Sequence, residues 1–320
     1  MKTILKRVPI PMAGLALGVA ALGNMLAIYG PEIRNVCGLV AWVLWLMVIA
    51  KIVRYPQLAR QDFHNPIIAS VAATIFMTLM QLAVYAKSVI GDAAVVFWSA
   101  AVCLHAVYIL WFSNRFLRHF SLKNVFPTFF ITYVGIAVAA VTAPQFGLER
   151  LGVGILLYAA AAYLVIFILI TYRYFKHPVA LAARPLFCIY TAPMSLCLCG
   201  YLASVTEKSP ALMFAMAVCA QVLFVIVLCR LPRLLHLPFY PSYAAFTFPF
   251  VISAYALQGL LGWCAGAGIT IPLGLTLLLH AEEILAACLV IYAIIRYARH
   301  IACGLQDPDL DFEECRWCCT

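Results

Sequence analysis

Apolar residues run along this chain in ten long, nearly unbroken stretches, about 9–28, 35–54, 66–86, 92–113, 126–144, 150–172, 185–205, 209–230, 241–263 and 270–296. Short segments between them hold most of the charge. Each stretch is close to the roughly 20 residues a helix needs to cross the hydrocarbon of a bilayer. The pattern predicts an all-α integral membrane protein with ten transmembrane helices in residues 1–300, followed by a short tail, 301–320.

Composition agrees with that reading, since 66% of the 320 residues are hydrophobic and only 10% are charged, too little polar surface for a soluble domain. The opening Met1-Lys2-Thr3-Ile4-Leu5-Lys6-Arg7 looks like the charged start of a signal peptide, but no small-residue cleavage site precedes Tyr29. The first helix is therefore expected to stay in the protein.

Lys and Arg fall unevenly between the two sets of loops. Seventeen lie in the termini and alternate loops on their side, and four, Arg34, Lys87, Arg150 and Lys208, on the other. Cytoplasmic segments retain Lys and Arg, so a multi-pass protein of the plasma (inner) membrane with both termini cytoplasmic is expected. The net charge of +9 has the same origin. Topology alone accounts for it; a basic rim that concentrates anions at an inner mouth is a second reading.

Each helix leaving the cytoplasm follows a basic segment and starts near a proline, Pro11, Pro66, Pro127, Pro185 or Pro241, at intervals of 55, 61, 58 and 56 residues. Proline suits a helix start, but the even spacing also suggests five copies of a helical hairpin. The odd-numbered helices hold no Lys, Arg, Asp, Glu or His and are rich in small residues, among them Gly14, Gly18, Ala73, Gly135, Ala192, Pro193 and Thr247. Small residues let membrane helices approach closely. Recurring with one period, they also fit an inner ring around a central passage.

The even-numbered helices carry Trp42, Trp45, Trp98, Trp111 and many Leu, Ile, Phe and Tyr, as expected of an outer, lipid-facing wall. His105 has no histidine or acid at helical spacing and reads as a hydrogen-bonded packing residue.

The ninth stretch is unusual. Tyr243–Gly259 places Pro249 in mid-helix beside Thr247 and Ser253. A proline there frees a carbonyl that lipid cannot satisfy, so the kink is expected to face protein or a watery cavity, with Phe248 at a constriction. In the tenth stretch His280-Ala-Glu282-Glu283 sets two acids near mid-helix. Intramembrane acids mark function or a polar partner, and these three side chains are candidates for proton coupling. The second histidine of a zinc motif is missing, and no metal site is expected.

Most of the thirteen cysteines lie within helices and read as small hydrophobes. The tail adds Cys315, Cys318 and Cys319 beside five acids; a free cytosolic tail or palmitoylated cysteines are expected there. No nucleotide loop, nucleophile elbow or redox motif appears, which argues against a transport ATPase. The odd helices lack polar catalytic groups, which argues against an enzyme; no cofactor and no nucleic-acid partner is expected.

Three stretches carry a resemblance: Ala245-Phe-Thr-Phe-Pro249, Pro11-Met-Ala-Gly-Leu-Ala-Leu-Gly18 and Ala192-Pro193. With hydropathy and length over residues 5–300, they resemble the tellurite-resistance/dicarboxylate transporter family, which includes bacterial TehA, yeast malate and sulfite transporters and plant slow-type anion channels. The resemblance implies five quasi-fivefold helical hairpins, with the odd helices forming an inner ring around a central anion pore. It also implies a phenylalanine that occludes the pore, matched here by Phe248, and homotrimers with one pore in each subunit. Glu282, Glu283 and the acidic, cysteine-containing tail depart from the family pattern.

Two transport mechanisms follow. In the first, small anions (halide, nitrate, sulfite, tellurite or C4-dicarboxylate) move through a neutral pore gated by Phe248 and lined by Gly14, Gly18, Ala73, Gly135, Ala192, Pro193, Thr247 and Pro249. The alternative is a proton-coupled dicarboxylate or oxyanion carrier that uses Glu282 and Glu283, with His280. A membrane-embedded enzyme or sensor is a third, weaker reading.

Overall fold

A computed structural model describes residues 2–118 and 120–306. The acidic, cysteine-containing tail lies outside the described residues beyond Gln306, so the expectations for Cys315, Cys318 and Cys319 fall there. Every regular element is helical among the described residues.

The α-helices in order are α1 (Lys2–Arg7), α2 (Met12–Met25), α3 (Pro31–Arg54), α4 (Pro56–Asp62), α5 (Pro66–Ala72), α6 (Thr74–Ile90), α7 (Ala94–Phe116), α8 (Phe129–Tyr133), α9 (Val138–Thr142), α10 (Glu149–Lys176), α11 (Ala192–Ser204), α12 (Pro210–Leu228), α13 (Leu231–Leu235), α14 (Phe248–Gly266) and α15 (Leu273–Gln306). Short 3₁₀ segments join several of them, notably Gly135–Ala137, Leu181–Thr191 and Pro241–Phe246.

Eight helical segments among the described residues are long and apolar enough to cross a membrane. One of them, Pro66–Phe116, has 51 residues. As a straight helix it would reach about 76 Å, more than twice the hydrocarbon thickness. It instead turns back at Gly91, whose φ of 62° suits glycine, and α7 packs alongside α6. The stretch expected as one helix over 126–144 is broken into α8, a 3₁₀ turn and α9, with Gly135 at the break.

Burial separates two layers. Within their most apolar windows, Met12–Tyr29, Leu181–Ser204 and Pro241–Gly266 are 72%, 78% and 83% buried, whereas Pro31–Arg54, Glu149–Lys176 and Pro210–Leu228 are 22–28% buried. The inner segments pack in sequence, α2 on α6, α6 on α9, α9 on α11, α11 on α14, and α14 back on α2. Behind them stand α3, α7, α10, α12 and α15, with exposed Val, Leu, Ile and Phe side chains on their far sides. Small residues on the inner segments suit this order, since they let those helices approach one another closely while the bulkier outer helices meet lipid.

Two expectations are corrected here. Trp98 does not face lipid: its ring is fully buried and its Nε1–H donates to Thr142 Oγ1 at 2.7 Å. Pro249 does not kink a continuous helix. It occupies the first turn of α14, where the missing N–H is no loss, and the chain before it is 3₁₀. Thr247 marks the change with φ −103° and ψ −93°. Its Oγ1 donates to the carbonyl of Ala244 at 2.7 Å. His105 is a buried packing residue, with Nε2 3.0 Å from the Thr132 carbonyl.

Candidate anion pathway

A cavity of about 270 Å³ opens among the inner segments. Its wall takes Pro11, Gly14 and Leu17 from α2, Thr74 and Met77 from α6, Phe130 from α8, and Gly135 from the break before α9. The far side is formed by Leu186 and Ile189 of a 3₁₀ segment, Ala192 and Pro193 of α11, Ala244 and Ala245, and Phe248 and Pro249 of α14.

No Lys, Arg, His, Asp or Glu lines this space. Three of its polar side chains are turned to backbone: Thr74 Oγ1 donates to the Val71 carbonyl at 2.7 Å, Ser242 Oγ to the Ala182 carbonyl at 2.6 Å, and Asn65 Oδ1 accepts from the Ile67 amide at 2.9 Å. The wall is therefore neutral and mostly apolar.

Two helices begin on it in the same way. α11 starts Ala192-Pro193 after a 3₁₀ segment, and α14 starts Phe248-Pro249 after another. Few amides are left free there: the Ala192 N–H donates to the Ile189 carbonyl and the Phe250 N–H to the Thr247 carbonyl at 3.1 Å, and Pro193 and Pro249 carry none.

Phe248 differs from the phenylalanines on either side. The Phe246 ring packs edge to face on Tyr243, centroids 4.8 Å apart, and Phe250 on Phe224 at 5.9 Å. Phe248 has no ring neighbour among the described residues and lies on the cavity wall.

The structure brings Gly14, Gly135, Ala192, Pro193, Phe248 and Pro249 onto one cavity. Gly18, Ala73 and Thr247 stand just off it. Gly18 lies against Thr247, Thr247 Oγ1 reaches the Gly14 carbonyl at 3.3 Å, and Ala73 is buried at the join of α5 and α6.

A second cavity, of about 320 Å³, shares Pro11, Ile68 and Pro241 with the first. Lys6, Arg7, Lys51, Asp62 and His300 line it. Lys51 is buried and paired with Asp62, Nζ to Oδ2 2.8 Å. The apolar cavity thus adjoins a basic antechamber, which no single stretch of sequence signals, because its residues come from α1, α3, α4 and α15.

The family described as SLAC1, voltage-dependent anion channel, matches residues 7–301. The chain belongs to this family. The match agrees with the resemblance read from the motifs, and it makes this chain an integral, multi-pass membrane protein of an anion channel and transporter family. No curated protein matches the chain.

In this SLAC1 member the acids of α15 lie away from the cavity. His280, Glu282 and Glu283 fall in the first third of a 34-residue helix rather than at its middle. Glu283 Oε2 accepts from Tyr29 Oη at 2.8 Å and lies 3.1 Å from His280 Nδ1, while its Oε1 accepts from Gln258 Nε2 at 2.9 Å. His280 is half exposed. Glu282 is different. It is 2% exposed, and neither of its carboxyl oxygens has a hydrogen-bond partner among the described residues.

Proposed function

We propose that this protein passes small anions through a neutral pore running along the axis of its inner helices, with Phe248 as the gate. In this reading the chain makes ten crossings as five hairpins, Pro66–Phe116 supplying two and Phe129–Phe146 one. The odd crossings form the inner ring, and both termini are cytoplasmic. Gly14, Gly18, Ala73, Gly135, Ala192, Pro193, Thr247 and Pro249 form the lining and its immediate support.

One observation carries the proposal: a charge-free cavity walled by all five inner segments. Such a site offers no fixed charge and selects among ions by how cheaply they shed water. The basic antechamber supplies them from the cytoplasmic side. An aromatic ring across a neutral passage stops ions because they must dehydrate without compensating charge. Halide, nitrate, sulfite, tellurite and C4-dicarboxylate are the candidate anions, and a homotrimer of the inner membrane is the expected assembly. The alternative, a proton-coupled carrier using Glu282 and Glu283, has less support, because neither acid nor His280 lines the cavity.

Purified protein in liposomes, assayed for flux of chloride, nitrate, sulfite, malate and tellurite, tests the proposal. Flux of at least one anion down its own gradient, without a proton gradient, is the expected result. Flux that requires a proton gradient, or no flux of any of them, overturns it.

A further inference from the structure

Glu282 and Ser253 form an unsatisfied pair just behind the gate helix. Ser253 lies one turn beyond Pro249 on α14, is completely buried, and its Oγ has no hydrogen-bond partner; both carboxyl oxygens of Glu282 are in the same condition. The polar side chains that face Glu282 are the amide of Gln221 on α12 and the hydroxyl of Ser253, both uncharged. No countercharge is at hand, for α2, α12 and α14 hold no Lys, Arg, His, Asp or Glu. The titratable groups of those helices are Cys219 of α12, which is exposed, and Tyr255 and Cys264 of α14. On α15 itself, Glu283 and His280 are engaged with each other and with Tyr29, and Cys288 is exposed.

A buried carboxyl group without a countercharge favours the neutral acid, which can give its one proton to Ser253 Oγ. The ion has only the neutral donors of Gln221 and Ser253 to receive it. Pairs like this in native structures call for an explanation in terms of function or an unseen ligand. The smallest ligand that satisfies this one is a proton.

We propose that Glu282 is a proton-binding site that sets the anion conductance of the pore; this rests on the neutral-pore reading above. Protonated, it is neutral and bridges α15 to α14 through Ser253. On deprotonation the proton leaves to water and a fixed negative charge remains a turn from Phe248-Pro249. In a medium of low dielectric that charge raises the barrier for any anion crossing the cavity, on the order of tenfold in rate. It lies behind the wall rather than on the path, so it tunes flux without moving with the substrate. That separates it from a coupling group.

The test measures anion flux in liposomes from about pH 5 to about pH 9, the range in which a buried Glu titrates. Flux of the unmodified protein is expected to rise as pH falls. Glu282→Gln is expected to hold the acid-side rate at every pH, Glu282→Asp and Glu283→Gln to keep the pH dependence, and reversal potentials to follow the anion gradient alone. Infrared difference spectra between the two pH limits are expected to show a carboxylic-acid carbonyl band that is missing in Glu282→Gln. A folded Glu282→Gln variant that keeps the original pH dependence overturns the inference. So does a spectrum without that band, which decides the proton site even if no anion moves. Flux at all pH values without pH dependence sinks the switch and leaves the pore; no flux at any pH sinks the pore.

Discussion

Gly18 of α2 lies directly under Thr247, where a Cβ would stand 2.5 Å from the Thr247 Cβ and Oγ1 and 2.9 Å from the Phe248 amide nitrogen. Gly18→Ala must therefore push α14 away from α2 at the level of Phe248. We expect a loss of about 1–3 kcal/mol, the usual cost of overpacking, seen as an earlier melt in detergent. Gly14→Ala, whose Cβ would meet Ala244 Cβ at 3.3 Å, is expected to cost clearly less. Equal melting of the two variants would contradict the close approach.

Phe248 and Phe246 make a matched pair for testing the gate. Phe246 is a core ring packed on Tyr243, so Phe246→Ala is expected to cost about 3–5 kcal/mol and to open nothing. Phe248→Ala is expected to raise anion conductance severalfold with a much smaller loss of melting temperature. Bilayer currents read beside detergent melts distinguish the two. If Phe248→Ala melts as early as Phe246→Ala and conducts no better, Phe248 is ordinary packing.

Trp98 depends on Thr142. Replacing Thr142 by Val keeps the shape and removes the acceptor, leaving a buried indole N–H unsatisfied at an expected cost of about 1–3 kcal/mol. Trp98→Phe in the same background should recover part of the loss. A double-mutant cycle by thermal melting measures the coupling.

Lys51 is the buried partner in its pair with Asp62, whose side chain is about 30% exposed. Asp62→Asn leaves an ammonium without its acid at the wall of the antechamber. The fold should lose about 1–3 kcal/mol, less than for a fully buried pair, and flux from the cytoplasmic side should change more than flux from outside.

Topology is checked with reporters. A fusion partner that is active only in the cytoplasm should work at either terminus and fail after Gly147, in the loop before α10. Activity at Gly147 with silence at the termini would reverse the orientation.

Layering was legible in the sequence because the odd-numbered stretches carry small residues that let helices pack closely, whereas the even-numbered ones carry bulky apolar side chains suited to lipid. Gly14, Gly135, Ala192 and Pro193 were legible as small residues at corresponding places in a repeat. The 3₁₀ segments were not, because hydropathy is blind to backbone winding; Pro249 therefore read as a mid-helix kink when it opens a new helix. Trp98 escaped because a lone tryptophan in an apolar run gives no sign of whether its N–H meets a headgroup or a threonine. The isolation of Glu282 was equally hidden, since it depends on three helices that the sequence does not show to be adjacent.

The 3₁₀ segment Leu181–Thr191 is eleven residues long, far beyond the three or four that such winding usually sustains. Rewound as an α-helix, it would be about 5 Å shorter and turn through about 220° less. With α11 held in place, Leu186 would swing through about 120° and Ile189 through about 60° from the positions in which they line the cavity. The calibre of the cavity is thus a matter of pitch: the same residues, coiled more loosely, would line a different opening.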